Sequence, residues 1–300
     1  MLRTAVYATT ALGLSLSAAV AAPAVGLVGD KTLVMFDTET LAVSGTMDVS
    51  GVDSLLGIDL RPSNGTLVGV TPDMSIVSID TASGEATEMA KMDTALPLGD
   101  TPVIVDFNPA ADKLRFMTGT TNHRVDVDTG AVTVDGSLNW QEGDMHVGEE
   151  TAIVAAAYIN SYGKPEATKM YDIDATIVAV IQQVSPNDGT LGAIGKLGID
   201  DPADTYAFDV QTNEAMENMA WLVNGNMLYS VDLETGAATG VGMIEGVDGG
   251  VPGFMGQRTD FRGAGSISGV NAIVPGNASS SLSRARTVGG ACSHARQAIA

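Results

Sequence analysis

Val125-Asp126-Val127-Asp128-Thr129-Gly130 is the clearest copy of a phrase that occurs five times in this 300-residue chain. In each copy an apolar residue and an Asp are followed by three residues that usually end in Thr or Ser, and then usually by Gly. An Asp side chain can accept hydrogen bonds from nearby backbone amides, and Gly supplies the positive φ of a tight turn. Each copy therefore predicts a β-hairpin that joins two outer strands.

The other four copies have the same spacing as a set of propeller blades. They are Phe36-Asp37-Thr38-Glu39-Thr40-Leu41, Ile79-Asp80-Thr81-Ala82-Ser83-Gly84, Tyr171-Asp172-Ile173-Asp174-Ala175-Thr176 and Val231-Asp232-Leu233-Glu234-Thr235-Gly236. Their separations are close to the roughly 40 to 50 residues of a four-stranded blade. The first and fourth copies along the chain lack Gly, which predicts longer or differently shaped turns there.

A second repeated element precedes the hairpins and predicts the inner strand of each blade. It is an apolar run that ends in a turn residue, at 56–62, 104–109, 156–161, 207–212 and 269–274. Residues 24–49 supply three strands without an inner one, and residues 265–275 supply an inner strand alone. We therefore predict an all-β fold, a single β-propeller of five four-stranded blades closed by N- and C-terminal strands. A six-bladed ring that uses residues 245–262 is the alternative.

The two ends of the chain have compositions unlike the repeats. The N-terminus has the order of a secretory signal peptide. One basic residue is followed by an apolar run rich in small residues and then by the small-x-small cleavage site Ala19-Val20-Ala21. We expect a signal peptide over residues 1–21, the propeller over residues 22–276 and a disordered tail over residues 277–300. Since no later stretch is apolar enough to span a membrane, a periplasmic or secreted protein is predicted.

The charge balance limits the kinds of partner. The chain has 36 acidic and 15 basic residues, which gives a net charge of −21 at pH 7. Such a surface repels phosphate backbones, so nucleic acid is excluded as a partner. The single cysteine, Cys292, excludes an intramolecular disulfide. The sequence does not indicate an oligomeric state.

Four phrases in order carry a resemblance to a known family. They are LLGIDLRP at 55–62, DFNPAADKLR at 106–115, VDTGAVTVDG at 127–136 and PNDGTL at 186–191. Together, over about residues 27–244, they resemble the bacterial exported family called domain of unknown function 4394. The resemblance implies an exported repeat protein of β-strands, and it transfers no catalytic residue to this chain.

Motifs of common enzymes are missing from the sequence. There is no Gly-x-Ser-x-Gly elbow, and His123, His146 and His294 are not in a zinc-type spacing. These features favour a noncatalytic propeller that binds an extracellular ligand, glycan or protein partner on one face of the ring. The alternative is an extracellular hydrolase or lyase that acts on a polymer or ester through carboxylates at the channel mouth, with calcium assistance.

The candidate site comes from the inner strands. Aligned on their turns, they place Asp59, Asp106, Tyr158, Asp209 and Asn271 at one level, where side chains of a closed ring converge near the channel. The three aspartates are the candidate catalytic residues. Asp106 and Asp209 are also a candidate calcium site, because calcium prefers carboxylate oxygens. The candidate ligand-binding residues are Arg61, Asn108, Arg115, Arg124, Tyr158, Asn160 and Asn271.

A structural role competes with this hypothesis. Repeat proteins use the same residue in every unit to connect neighbouring units, whereas catalysis requires asymmetry. Each inner-strand Asp would then hydrogen-bond to the next blade and fix its register.

Overall fold

Strands and turns make up the part of the chain that the structure describes. The computed structural model describes residues 23–244 and the short segment 274–275. Within these residues there are 21 strands in five sheets. The same residues contain no helix of the length and apolarity needed to cross a membrane.

The strands follow one another along the chain as five blades. Blade 1 begins with β1 (Pro23–Val28), β2 (Thr32–Asp37) and β3 (Val43–Asp48). Blade 2 consists of β4 (Gly57–Arg61), β5 (Thr66–Val70), β6 (Ser75–Ile79) and β7 (Ala86–Lys91). Blade 3 consists of β8 (Val103–Asn108), β9 (Lys113–Thr118), β10 (Thr121–Val125) and β11 (Val132–Val134). Blade 4 consists of β12 (Asn139–Trp140), β13 (Ile153–Tyr158), β14 (Met170–Asp174), β15 (Ala179–Ser185) and β16 (Thr190–Lys196). Blade 5 consists of β17 (Tyr206–Thr212), β18 (Asn218–Asn224), β19 (Met227–Val231) and β20 (Ala238–Met243), and the last strand is β21 (Val274–Pro275).

The blades form a closed ring around their inner strands. β4 contacts β8, β8 contacts β13, β13 contacts β17, and β17 contacts β21. β21 completes blade 1 as its inner strand, because Val274 pairs with Val25 and Pro275 pairs with Ala24. The predicted five-bladed propeller closed by both ends of the chain is thus confirmed. Residues 1–21, 245–262 and 277–300, and Asn271, lie outside the described residues.

Burial follows the position of each strand within its blade. The inner strand β8 is buried along nearly its whole length, whereas the outer strand β7 has only exposed and half-buried residues. An inner strand lies between two neighbouring blades, so both of its faces pack against apolar side chains. In the described part of the chain each of the five interfaces between blades has its own apolar cluster, such as the one with Val68 of blade 2 and Phe107 of blade 3.

The predicted Asp hairpins join the third and fourth strands of blades 1, 2, 3 and 5. In the blade 3 turn, Asp126 Oδ1 accepts hydrogen bonds from the amides of Asp128 and Thr129, over 3.1 and 3.0 Å. Asp37, Asp80 and Asp232 accept the equivalent pairs. The residue four places after the Asp has a positive φ, which is 76° at Gly130. Leu41 has a φ of 61° at the same place, so the expectation of a different turn shape in blade 1 was wrong.

These turn glycines also allow close contact between blades. A Cβ atom added to Gly130 would lie 1.9 Å from the carbonyl oxygen of Lys91 in blade 2. Gly236 approaches the backbone of Gly195 in the same way, from blade 5 to blade 4. At the interface between blades 1 and 5 the turn residue is Leu41, and the glycine lies on the other side of the interface, at Gly242. Gly is therefore needed on one side of such an interface, which explains why the blade 1 turn can use Leu.

Blade 4 departs from the repeat in its hairpins. Its turn aspartate is Asp174, which accepts hydrogen bonds from the amides of Thr176 and Ile177, and not Asp172 as the sequence alignment assumed. The Asp174 turn joins β14 to β15, the second and third strands, so it lies on the opposite side of the ring from the other Asp turns. Residues 185–190 form the hairpin between β15 and β16, with Gly189 at a φ of 68°.

The polar insertion at residues 139–150 covers an edge of blade 4. β12 pairs in parallel with β16, the outer strand of that blade, and makes its sheet five-stranded. The insertion makes two further hydrogen bonds to the same edge, from the Gln141 amide to the Leu191 carbonyl and from the Ala193 amide to Asp144 Oδ2. An exposed edge strand can pair with another molecule, so this segment protects blade 4.

Candidate cation and ligand site

Three inner strands bring a carboxylate to the central channel. Asp59 lies on β4, Asp106 on β8 and Asp209 on β17, and each of these residues is more than nine-tenths buried. One carboxylate oxygen of each residue lies within 4.8 Å of the corresponding oxygens of the other two. The structure thus places together the three aspartates that the sequence predicted as candidates.

Backbone amides fix the orientation of these carboxylates. Asp59 Oδ2 accepts a hydrogen bond from the Phe107 amide of blade 3 over 2.6 Å, and Asp106 Oδ1 accepts one from the Tyr158 amide of blade 4 over 3.0 Å. Asp209 Oδ1 instead accepts the amide of its own neighbour Val210 over 2.7 Å. Two of the three aspartates therefore also connect adjacent blades, as the structural alternative predicts, while all three remain beside the channel.

The ring of carboxylates is interrupted at blade 4. Because the Tyr158 amide bonds to Asp106 as the Phe107 amide bonds to Asp59, the residue of blade 4 at the Asp level is Ala157. The sequence alignment placed Tyr158 at that level, one residue too far along. A shift in register between Ile153 and Ala155 accompanies the difference. The site is therefore asymmetric, with acids from blades 2, 3 and 5.

Burial and mutual repulsion disfavour the charged forms of the three acids. Burial raises the pKa of Asp59 to about 7, although its backbone hydrogen bonds act in the opposite direction. Burial and then the carboxylates of Asp59 and Asp209 raise the pKa of Asp106 well above its usual range. Burial and Asp59 raise the pKa of Asp209 in the same way. No Lys or Arg of the described residues forms an ion pair with any of them, so the site is suited to a cation.

A depression of about 530 Å³ opens above the carboxylates. Its wall comes from the turn between the first and second strands of blade 2, the corresponding loop of blade 4 and the end of β17. Besides the three aspartates, the polar residues in this wall are Ser63, Asn64, Ser161, Tyr162 and Thr212. The sequence did not indicate the blade 4 part, because the Tyr-Gly-Lys-Pro stretch at 162–165 has no periodicity that relates it to the inner strands.

The arginines that were predicted to bind ligand form ion pairs with acidic side chains in the structure. Arg61 is buried and makes ion pairs with Asp112 and Asp128 of blade 3, both at 2.8 Å. These guanidinium contacts lower the pKa values of both carboxyls. Arg61 therefore connects blades 2 and 3, and its guanidinium donors are not available to a ligand in the depression.

The two other candidate arginines belong to a cluster of polar side chains between blades 3 and 4. Arg115 donates to the Tyr158 hydroxyl over 3.2 Å and to Asp135 Oδ2 over 2.7 Å. Arg124 donates to Asp135 Oδ1 over 3.0 Å. Tyr158 is buried in the same interface.

The two predicted amides hold loops. Asn108 Oδ1 accepts the Ala111 amide in the turn after β8. Asn160, with a φ of 62°, exchanges hydrogen bonds with Asn218 of blade 5. Asn271, the remaining candidate, lies outside the described residues.

Comparison with known proteins places the chain in a family. The profile of the family called Domain of unknown function (DUF4394) matches residues 32–251. This chain belongs to the DUF4394 family. The resemblance seen in the four phrases is therefore confirmed. No curated protein matches the chain.

Several solved structures are similar to the DUF4394 chain at low identity. Auxiliary nutrient binding proteins of Bacteroides ovatus and Bacteroides thetaiotaomicron are 13% and 10% identical to it, with TM-scores of 0.41 and 0.40. These matches cover 68% and 69% of this chain and 51% of each of those proteins, so the chain spans about half of their length. A luciferin-regenerating enzyme is 12% identical, with a TM-score of 0.43 and coverage of 75% of this chain and 78% of that one.

Proposed function

We propose that this DUF4394 protein is an exported, noncatalytic binding propeller. It holds a calcium ion on Asp59, Asp106 and Asp209 and takes its ligand in the depression above them. The observation that supports the proposal is the convergence of three buried carboxylates that no cation of the described residues neutralises. Buried charges are otherwise paired or bind metal, because an isolated one is costly.

The spacing of the oxygens fits calcium. Calcium binds oxygen at about 2.3 to 2.6 Å, so two ligands on opposite sides of the ion are about 5 Å apart. The three carboxylate oxygens lie within 4.8 Å of one another. Among the described residues no hydrogen bond reaches Asp106 Oδ2 or Asp209 Oδ2, which leaves these oxygens open to an ion. Calcium needs about six to eight oxygens, so water or ligand on the side of the depression would complete the set.

Calcium titration of the chelator-treated full chain tests the metal. At pH 8 we expect calorimetry to show one site, and calcium at a hundred times its Kd to raise the melting temperature by about 5 to 10 °C. Asp106→Asn should abolish this shift. In chelator the same variant should melt no lower than the wild type, because one of three repelling charges is gone and the Asn oxygen can still accept the Tyr158 amide.

Asp53→Asn is the matched control, since Asp53 is an exposed Asp outside the site. It should respond to calcium like the wild type. An absent calcium shift, or one that Asp106→Asn leaves intact, would disprove the metal site.

Hydrolase activity is the second candidate, and the close approach of three buried carboxylates beside an open depression favours it. A carboxyl with a pKa of about 7 is suited to act as a general acid near neutral pH, beside carboxylates that could serve as base or nucleophile. Turnover of a polysaccharide or ester by the wild type would support this candidate, provided that Asp106→Asn and Asp209→Asn lose activity and keep their melting temperatures.

The export part of the proposal rests on the predicted signal peptide. We expect the mature chain, recovered from the periplasm or the medium of expressing bacteria, to begin at residue 22. Mass spectrometry of the intact protein measures this directly. A chain that retains residues 1–21 in the cell would contradict export.

A further inference from the structure

The polar groups of the depression offer mostly hydrogen-bond acceptors. Asp106 Oδ2 and Asp209 Oδ2 lie at its base and accept no hydrogen bond from the described residues. The Ser63 hydroxyl donates to Asp112 Oδ1 over 2.9 Å, and the Ser161 hydroxyl donates to the Tyr158 carbonyl over 2.9 Å. Each hydroxyl has therefore used its one hydrogen and retains oxygen lone pairs.

The remaining wall residues follow the same pattern. The Thr212 hydroxyl donates to Asn218 Oδ1 over 2.8 Å and accepts the Ser161 amide over 2.8 Å, so it retains one lone pair. The Tyr162 hydroxyl donates to Glu214 Oε1 over 3.0 Å. Asn64 Oδ1 accepts the Thr66 amide, whereas no hydrogen bond of the described residues uses Asn64 Nδ2. The Asn64 amide is thus the one side-chain donor in this wall that stays available, and the site suits a ligand that is itself rich in donors.

Charge excludes the anionic ligands. No Lys or Arg of the described part of the chain lines the depression, and its base carries three acids. Calcium would neutralise two of the three negative charges and leave no excess positive charge to attract a carboxylate, phosphate or sulfate. A neutral ligand with several hydroxyl groups has the required donors and can also give oxygen atoms to calcium.

Tyr162 adds a flat apolar surface to this polar wall. Its side chain lines the depression, and the residue is 43% exposed. The hydrogen bond to Glu214 of blade 5 restrains the hydroxyl. An aromatic ring next to hydrogen-bonding groups suits a molecule with one apolar face and hydroxyls at its edge.

We infer that the ligand of this depression is a carbohydrate, which donates hydroxyl hydrogens to the acceptor-rich wall, coordinates calcium through adjacent hydroxyls and packs a ring face against Tyr162. This inference rests on the proposed function, since calcium must first neutralise the aspartates. It adds the chemical class of the ligand to that function.

Calorimetry on the calcium-loaded full chain tests the ligand class with free D-mannose, D-galactose and L-fucose. We expect saturable binding of at least one sugar, and its loss when a chelator removes calcium. Tyr162→Ala should weaken that sugar at least tenfold and leave the calcium-induced melting shift unchanged. Met145→Ala, at a residue that is 82% exposed outside the depression, is the control and should bind like the wild type.

The outcomes separate the ligand class from the metal. Calcium binding without any sugar binding, or sugar binding that Tyr162→Ala leaves intact, would overturn the carbohydrate inference and leave the calcium site standing. Acetate binding to the calcium-loaded chain in preference to every sugar would also overturn it, because an anion would then be the preferred ligand. Binding of spermidine in competition with calcium would show that the acids receive an organic cation and would overturn both proposals.

Discussion

Asp172 and Gln183 form a buried pair between blades 3 and 4 that lacks one hydrogen. Gln183 Nε2 donates to Asp172 Oδ1 over 3.3 Å, yet the two other oxygens, Asp172 Oδ2 and Gln183 Oε1, are buried and have no donor within the described ranges. Burial raises the pKa of Asp172 to about 7, against the opposing effects of Gln183 and Arg115. The other charged groups that act on this pair are Asp106 and Asp174. A proton on Asp172 would supply the missing hydrogen.

Asp172→Asn should therefore stabilise the protein at alkaline pH. The folded pKa of Asp172 lies above its ordinary value of 3.8, so its contribution to stability is present at low pH and is lost as the pH rises through about 7. Asn carries the missing hydrogen at every pH. From pH 5 to pH 8 the unfolding free energy of the variant should gain on the wild type by on the order of 2 kcal/mol.

Urea unfolding at the two pH values measures this difference. Asp53→Asn removes an exposed carboxylate and should show no such gain. If Asp172→Asn is destabilised equally at both pH values, Asp172 is charged in the folded protein and the interpretation fails.

At the scale of the residue, the sequence predicted the three aspartates of the site better than it predicted the residues around them. Asp59, Asp106 and Asp209 repeat at one position of an apolar run, so their common level could be read directly. Tyr158 was misplaced by one residue because the repeats were aligned on their turns, and the register shift in β13 has no signal in the sequence. Asp172 was taken for a turn residue because Asp172 and Asp174 both follow an apolar residue, and only the tertiary structure shows which one is buried.

At the scale of the element, the turn glycines combine two requirements. Gly130 has a φ of 76°, and its backbone also touches the Lys91 carbonyl of the preceding blade. Gly143 has a φ of 84° with no atom within 4 Å of an added Cβ. The two positions therefore separate the cost of backbone conformation from the cost of contact.

Gly130→Ala should be much more destabilising than Gly143→Ala. The left-handed conformation costs a non-Gly residue about 1 to 2 kcal/mol, which is all that we expect at Gly143. At Gly130 the added methyl must also displace the backbone of Lys91, so the loss should be at least about 2 kcal/mol greater. Urea unfolding of both variants gives the comparison, and equal losses would show that the contact between the blades is not rigid.

Hairpins and inner strands were predictable from the sequence because their signals are local. The hairpin of blade 4 was assigned to the wrong pair of strands because the same Asp phrase serves two different turns. The pairing of β12 with β16 was also beyond prediction, since a two-residue strand has no periodicity to detect.

At the scale of the whole molecule, closure depends on two residues from the far end of the chain. β21 pairs with β1 through Val274 and Pro275 and also contacts β17 of blade 5. Without this strand, the edge of β1 would face the channel unpaired. The number of blades followed from the count of repeats, and the closure followed from the incomplete repeats at the two ends.

Truncation of the chain tests this closure. A chain that ends at residue 276 should melt like the full chain, as the predicted domain boundary requires. A chain that ends at residue 272 loses β21, so we expect a lower melting temperature and concentration-dependent association through the open edge of β1. Light scattering and thermal melting measure both effects. Identical behaviour of the two truncated chains would show that β21 does not close the ring.

The contacts of the turn glycines also affect how a ligand enters the channel. Where the main chains of adjoining blades touch, as at Gly130 and Gly236, the blades cannot move closer together, so the ring resists contraction. The mouth of the channel should thus have the same width in the free and in the bound protein, and binding should need no conformational change. Association would then be limited by diffusion and orientation, without a slow closing step.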